Sequence, residues 1–143
     1  MIRLSPIFLM VSALAGLPSA GHADCFAEAA KRYRVSEKLL RAIQVTENRP
    51  GNAAALSPKN SDGTWDIGLM QINSSWLPRL SRFGIGEKEL LDRCVSANVG
   101  AWILASNIAS HGPVWKAVGA YNSPNPERQR IYIQKVMNNY GDL

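Results

Sequence analysis

The chain has 143 residues, of which 46% are hydrophobic and 19% charged, and its 16 lysines and arginines against 11 acidic residues give a net charge of +5. This length and apolar content fit one folded domain and exclude an intrinsically disordered protein. Two cysteines exclude a four-cysteine zinc site and a disulfide-rich miniprotein. The basic residues are scattered, so the charge gives no support for a nucleic-acid partner, and none is expected.

The first 23 residues have the pattern of a secretory signal peptide. Arg3 is their only charge, an apolar run follows at residues 7–17, and Gly21 and Ala23 provide the small residues that signal peptidase prefers. The alternative, an uncleaved membrane anchor, fits less well, because a membrane-spanning helix needs roughly 20 apolar residues. We therefore expect residues 24–143 to form a single exported domain in the periplasm. In that oxidising compartment Cys25 and Cys94 are expected to pair as a structural disulfide.

The first part of the exported chain predicts two helices and a long loop. A short helix is expected at residues 26–34, and a second begins after Ser36, a good N-cap. This second helix carries Leu39, Leu40 and Ile43 at helical spacing and ends before Pro50-Gly51. Residues 48–66 have loop character, and loops of this length in small domains are usually functional or disordered.

The remaining chain also predicts mainly helices. Residues 67–80 have mixed apolar character broken by Pro78, and Gly84 and Gly86 mark a turn. Helices are then expected at 87–110, ended by Gly112-Pro113, and at 115–121. The apolar face of the first of these is formed by Val95, Val99, Trp102 and Ile103.

A last helix begins with Asn125 as N-cap and Pro126 at its first position. Its apolar stripe is predicted to be formed by Ile133, Val136, Met137 and Tyr140. Strand signals are weak throughout the chain, which favours an α+β domain that is mainly helical.

Glu47 is a candidate catalytic acid, because it lies on the same helical face as Leu40 and Ile43. If it is half-buried beside apolar side chains, desolvation raises its pKa and allows it to act as a general acid near neutral pH. The alternative is that the helix simply reaches solvent at its last turn, and helix geometry alone slightly favours that interpretation.

Asp66 is a second candidate, although an isolated aspartate before an apolar segment is more often a turn or capping residue. Two carboxylates that flank a cleft are the arrangement used in glycoside hydrolysis. Gln71 and Asn73 add amides that can bind sugar hydroxyls or acetamido groups. Sugar rings can pack on aromatic faces, and the candidates are Trp65, Trp76 and Tyr121, although Trp76, like Trp102, is expected in the core.

Four segments in this order resemble the motif series of the soluble-type bacterial lytic transglycosylases. They are Glu47 at a helix end, Gly68-Leu69-Met70-Gln71-Ile72-Asn73, Asn98-Val99-Gly100-Ala101, and Ala117-Val118-Gly119-Ala120-Tyr121-Asn122. The resemblance covers nearly all of residues 24–143 and is greatest to the small secreted members that accompany type III secretion, conjugation and pilus systems. It implies a lysozyme-like transglycosylase domain that acts on peptidoglycan as a monomer, with components of such an apparatus as possible partners.

The resemblance also implies roles for individual residues. Glu47 would be the sole acid/base that cleaves the β-1,4 bond between N-acetylmuramic acid and N-acetylglucosamine with a 1,6-anhydro product. Tyr121 would hydrogen-bond or pack beside its carboxylate. The residues expected to bind the glycan are Trp65, Met70, Gln71, Asn73, Tyr121 and Asn122. No metal or organic cofactor is expected, because the sequence contains no cluster of metal ligands.

Two departures from the family pattern leave the substrate preference open: Asn48 follows Glu47 where serine is usual, and Ser123-Pro124 follows Asn122. Residues 60–74 are also similar to the cleft segment of the animal c-type lysozymes, in which the acid at the Asp66 position is the second catalytic carboxylate. A peptidoglycan hydrolase that uses Glu47 and Asp66 is therefore the alternative enzyme. A non-catalytic periplasmic assembly factor is the alternative outside enzymes.

Overall fold

A computed structural model describes residues 24–143; the predicted signal peptide, residues 1–23, lies outside the described residues. The helices are α1 (Cys25–Tyr33), α2 (Glu37–Glu47), α3 (Leu77–Leu80), α4 (Glu87–Leu90), α5 (Arg93–His111), α6 (Val114–Asn122) and α7 (Pro126–Asp142). The strands are β1 (Asp66–Ile67) and β2 (Ile72–Asn73), and short 3-10 helices cover Ser74–Trp76 and Ser81–Phe83. None of the helices in residues 24–143 is long and apolar enough to cross a membrane.

The helix caps explain where several helices begin. The Ser36 hydroxyl accepts a hydrogen bond from the Leu39 N–H at 3.2 Å, which confirms the predicted start of α2. At the start of α7, the Asn125 side chain accepts from the N–H groups of Glu127 and Arg128. Local side-chain chemistry therefore determines where α2 and α7 begin.

Two features of residues 67–111 differ from the sequence prediction. The helix predicted over 87–110 is divided into α4 and α5, because the Asp92 carboxylate accepts hydrogen bonds from the N–H groups of Cys94 and Val95 and starts a new helix. Pro78 does not break the segment around it, because it occupies the first turn of α3, where proline's missing N–H costs nothing.

The buried face of α7 is also rotated from the prediction. Its buried residues are Tyr132, Val136 and Asn139, whereas Met137 is 40% exposed. Ile133 and Tyr140 are partly buried against the core, as expected. The predicted stripe was wrong at Met137 because two polar side chains, the Tyr132 hydroxyl and the Asn139 amide, find hydrogen-bond partners inside the protein.

The small sheet has antiparallel register, with Asp66 opposite Asn73 and Ile67 opposite Ile72. The turn between the strands contains Gly68 at φ +74°, where a Cβ would collide with the Leu90 carbonyl. The turn can therefore pack directly against the end of α4 only because residue 68 is glycine.

The helices pack around α5, which contacts α1, α4 and α6, while α7 packs against α2 and α6. The largest fully buried side chains are Leu40, Ile43, Ile67, Leu69, Met70, Ile72, Leu90, Leu104, Val118 and Val136. Cys25 and Cys94 form a disulfide with a Cα–Cα distance of 5.0 Å, which confirms the predicted pairing and joins α1 to α5.

Candidate functional site

A cleft of about 830 Å³ runs across the surface between the small sheet and the end of α6. Two stretches, within 60–76 and 120–128, supply most of its lining, and Glu47 and Ile103 complete it. The lining is largely polar, which suits a ligand rich in hydroxyl and amide groups.

Glu47 is the last residue of α2 and is partly buried. The Tyr132 hydroxyl of α7 donates a hydrogen bond to Glu47 Oε1 at 2.7 Å. Burial raises the pKa of the Glu47 carboxyl from its ordinary 4.5 to about 7; the Tyr132 hydrogen bond and Lys135 oppose this rise, and the charge of Asp66 adds to it. A large fraction of Glu47 is therefore protonated at neutral pH, as a general acid requires.

The end of α2 is attached to α7 at a second point. Asn139 Nδ2 donates to Thr46 Oγ1 at 2.8 Å, and the Arg49 guanidinium donates to Asn139 Oδ1 at 2.9 Å. The Thr46 hydroxyl in turn donates to the Ala42 carbonyl at 2.7 Å. Helix ends fray readily, so these contacts hold the residue next to Glu47 in place.

Tyr121 lines the cleft close to Glu47, but its hydroxyl donates to the Met70 carbonyl at 3.2 Å rather than to the carboxylate. Burial first, then the charges of Glu47 and Asp66, raise the pKa of Tyr121 well above its ordinary value. Gly100 permits this contact, because a Cβ there would lie 2.9 Å from Met70 Cε and 3.1 Å from the Tyr121 oxygen.

Asp66 lies in the same cleft in polar surroundings. Asn73 Nδ2 donates to its Oδ1 at 2.9 Å, and Asn60 Nδ2 donates to its Oδ2 at 3.4 Å. The Asp66 N–H donates to the Ser57 hydroxyl at 2.8 Å, which attaches the strand to the preceding loop. Asp66 is therefore held by hydrogen bonds from amides and not by an apolar wall.

Gln71 has a left-handed backbone with φ +50°, an uncommon conformation for a residue that is not glycine. Its side-chain Nε2 donates to the Gly68 carbonyl at 2.9 Å, so the amide oxygen remains available to the cleft. A strained backbone held by its own side chain is typical of functional positions.

Most of the predicted site residues meet in the cleft, which is lined by Glu47, Asp66, Gln71, Asn73, Tyr121 and Asn122. Met70 and Trp65 do not line it. The Met70 side chain is fully buried, and the Met70 carbonyl accepts the hydrogen bond from the Tyr121 hydroxyl. The Trp65 indole donates to Glu87 Oε2 at 2.8 Å. Trp76 and Trp102, both expected in the core, are partly buried and pack against it. Their rings meet edge-to-face at 5.5 Å, and Trp76 also lines the cleft.

Tyr132 is the main site residue that sequence reasoning missed. The signal was present, because residue 132 precedes Val136 by four positions and therefore lies on the same helical face. Within residues 24–143 no group of three or more His, Cys, Asp or Glu side chains is placed to hold a metal ion.

Known proteins are similar to this chain over most of its length. Residues 24–139 match the family described as the transglycosylase SLT domain. The invasion protein IagB of Salmonella typhimurium is 43% identical over 85% of this chain and 78% of its own length. The protein IpgF of Shigella flexneri is 34% identical over 87% of this chain and 84% of its own length.

A solved structure shares the fold. It is an inactive mutant of the lytic transglycosylase Slt from Pseudomonas aeruginosa, with a TM-score of 0.65 and 21% identity over 85% of this chain. The match spans 24% of that longer chain. The likeness confirms the predicted lysozyme-like α+β fold.

Proposed function

Because this chain belongs to the transglycosylase SLT domain family and is a lytic transglycosylase, we propose that Glu47 is its catalytic acid/base on peptidoglycan. One observation carries this assignment: the carboxyl is partly buried at a helix end, bonded by Tyr132, with a pKa raised to about 7. The other acids that line the cleft, Asp62 and Asp66, have polar surroundings.

In the first step, protonated Glu47 gives its proton to the glycosidic oxygen between N-acetylmuramic acid and N-acetylglucosamine. The bond from C1 to that oxygen breaks, and N-acetylglucosamine leaves with a new hydroxyl group. The acetamido oxygen of the muramic acid stabilises the positive charge at C1. The Tyr132 hydroxyl, 2.7 Å from Oε1, stabilises the Glu47 carboxylate that remains.

In the second step, the Glu47 carboxylate takes the proton of the muramoyl 6-hydroxyl, and that oxygen forms the new bond to C1. The product carries a 1,6-anhydro end, water is not consumed, and Glu47 regains its proton. No enzymic nucleophile is needed. Asp66 then orders the loop and binds sugar through hydrogen bonds, in keeping with its contacts to Asn60 and Asn73.

A hydrolase is the second candidate, because Asp66 lines the same cleft and its charge contributes to the raised pKa of Glu47. A hydrolase would use Asp66 as nucleophile or charge stabiliser, with the two carboxyl groups about 5–5.5 Å apart if it retained configuration.

Mass spectrometry of muropeptides released from purified sacculi tests the proposal. Transglycosylation gives anhydro ends, whereas hydrolysis gives reducing ends that are heavier by one water. A reaction with Glu47→Gln serves as the blank for contaminating enzymes. Reducing ends would favour the hydrolase, and no release at all by the purified domain would favour a non-catalytic assembly factor.

We also propose that the protein is exported to the periplasm and opens the cell wall for a secretion, conjugation or pilus apparatus. The predicted signal segment at residues 1–23 supports export, and the likeness to a protein named for invasion supports such an apparatus. Fractionation of cells that produce the full chain should recover a protein beginning near Asp24 in the periplasm. Recovery of the uncut chain in the cytoplasm would contradict export.

A further inference from the structure

A second groove, of about 560 Å³, is separate from the catalytic cleft. It is lined by the face of α5 that carries Val95, Val99 and Trp102, by the end of α1 and by residues 80–85. Within the part of the chain that the structure describes, no residue lines both the groove and the cleft. This groove, which we call the α5 groove, therefore has no part in the proposed reaction.

The lining of the α5 groove has the composition of a protein–protein interface. It contains three aromatic side chains, Tyr33, Phe83 and Trp102, together with Arg32, and the rest are aliphatic apart from one asparagine and one cysteine. Aromatic residues and arginine are enriched at the centres of protein interfaces, whereas lysine, glutamate and aspartate are depleted there. None of those three depleted types lines the α5 groove.

Phe83 is the most exposed large apolar side chain within residues 24–143, with 71% of its surface accessible. It lies beside a concave apolar surface, so the two together form one apolar patch. Such a patch is unfavourable in water, and patches of this kind mark binding surfaces. A partner that covers the Phe83 ring and fills the groove would remove both from water.

The arginines around the α5 groove define the charge of that partner. Arg32 lines the groove, the Arg79 guanidinium lies 5.2 Å from the centre of the Trp102 ring, and Arg82 precedes Phe83 in the chain. All three arginines are exposed, and none of the ion pairs within residues 24–143 includes them. Their guanidinium groups are therefore available to carboxylates of a partner.

The acidic side chains closest in sequence to the groove lining have other uses. The Asp92 carboxylate accepts hydrogen bonds from the N–H groups at the start of α5, and Glu89 accepts from the Gly86 N–H at 2.9 Å. Glu87 accepts from the Trp65 indole. These carboxylates stabilise the chain itself, so the positive charge of the arginines is not neutralised from within.

We propose that the α5 groove is a docking site for a segment of another protein that presents apolar side chains beside carboxylates. The apolar side chains fill the groove and cover Phe83, and the carboxylates pair with Arg32 and its neighbours through the two parallel hydrogen bonds that arginine offers. This inference goes beyond the proposed function and does not depend on it.

Two other occupants fit the surface less well. A second copy of this chain also has a net charge of +5, so the two would repel each other. A bilayer surface cannot enter a concave groove, whereas side chains of a protein segment can. An acidic and apolar protein segment satisfies both the charge and the shape.

Selection from a displayed library of short random peptides tests the chemistry of the partner. With residues 24–143 as bait, the selected peptides should be enriched in Leu, Ile, Phe and Trp and in Asp and Glu, and depleted in Lys and Arg. In NMR spectra a selected synthetic peptide should shift the resonances of the Trp102 indole and of the Val95 and Val99 amides, which line the groove. The resonances of Gln71 and Asn122 in the cleft should not move.

Two substitutions locate the binding energy. Phe83→Ala should weaken binding of the selected peptide by about tenfold or more, as for a central aromatic side chain, and Arg32→Gln by up to about fivefold, as for one exposed ion pair. Both side chains are exposed, so both variants should keep the wild-type melting temperature and activity on sacculi. The matched controls are Ile131→Ala and Lys31→Gln, which are exposed but outside the groove lining and should keep wild-type affinity.

Several results would overturn the inference. They are a library that yields no enriched apolar and acidic peptides, a selected peptide that shifts the cleft resonances instead, and equal affinity of the wild type and Phe83→Ala. Binding to phosphatidylglycerol vesicles that Phe83→Ala abolishes would assign the groove to a membrane. A dimer in sedimentation experiments that Phe83→Ala dissociates would assign it to a second copy, and either result would replace the proposed occupant.

Discussion

The two carboxylates of the cleft, Glu47 and Asp66, lie in different surroundings. Glu47 ends a helix, is partly buried and is bonded by a tyrosine, and its pKa rises to about 7. Asp66 begins a short strand and accepts hydrogen bonds from the amides of Asn60 and Asn73. The comparison teaches that surroundings suit two carboxylates of one cleft to different roles: a desolvated carboxyl can hold a proton to donate, whereas one surrounded by hydrogen-bond donors is suited to binding.

Replacement of the desolvated carboxylate should have the largest effect. Glu47→Gln keeps the shape but cannot give and retake a proton, and loss of general acid–base catalysis typically costs about 10²–10⁴-fold. We expect kcat on purified sacculi to fall by that amount while glycan binding persists. Glu37→Gln, at the opposite end of α2, is the control and should keep wild-type activity. Wild-type turnover in Glu47→Gln would contradict the assignment of Glu47.

The pH dependence of activity and of stability should report the raised pKa of Glu47. The free enzyme must hold a proton on Glu47, so kcat/KM should fall above about pH 7, approaching tenfold per pH unit. Stability should follow: the folded chain holds this proton more tightly, and its contribution is fully present below about pH 4.5 and lost as pH rises through about 7. Glu47→Gln should therefore gain melting temperature relative to the wild type between about pH 5 and about pH 8.

Removal of the tyrosine hydroxyl should have a smaller effect. The Tyr132 hydrogen bond lowers the pKa of Glu47, so Tyr132→Phe should move the basic limb of the pH profile to higher pH. The rate should also fall by about tenfold, because a charge-assisted hydrogen bond to the carboxylate is lost. The control is Tyr140→Phe, on the same helix with its ring edge-to-face on Trp115. A basic limb that does not move would show that Tyr132 only fills space.

Asp66→Asn should reduce kcat/KM by only about threefold to tenfold, the effect of losing one ordinary hydrogen bond to sugar or loop. Its charge raises the pKa of Glu47, so the basic limb should move to lower pH, opposite to Tyr132→Phe. A loss comparable to that in Glu47→Gln, together with reducing ends in the product, would instead establish a hydrolase.

The smallest effect is expected beside Glu47. Thr46→Val removes the hydroxyl that joins Asn139 to α2, whereas Thr46→Ser keeps it. We expect Thr46→Val to lower the melting temperature and to move the basic limb slightly to lower pH, because a less firmly held Glu47 is better hydrated. Thr46→Ser should restore both. Equal behaviour of the two variants would show that the hydroxyl does not position the carboxylate.

Local chemistry made much of this molecule predictable. The caps at Ser36 and Asn125, and the position of Glu47 on an apolar helix face, could be identified from spacing alone because each depends on neighbours within one or two turns. The contact of Tyr132 with Glu47 could not, since the two residues are 85 positions apart.

Trp65 and Trp76 show the same limit of prediction from sequence. Sequence cannot distinguish a tryptophan that lines a cleft from one that packs inside, because both need an apolar neighbour. Both pack against the core, but the Trp65 indole also donates to Glu87 and Trp76 also lines the cleft. Each outcome depends on neighbours that only the fold brings together.

The disulfide divides the residues of the cleft between two covalently different parts of the chain. The bridge between Cys25 and Cys94 closes a covalent ring that contains Glu47, Asp66 and Gln71, whereas Tyr121, Arg128 and Tyr132 belong to the open arm that follows it. A single cut at the exposed Gly112–Pro113 link would leave the acid on one piece and its tyrosine on the other. Only the packing of α6 and α7 on α5 and α2 would then hold the two pieces together, so the enzyme can be treated as two complementary fragments.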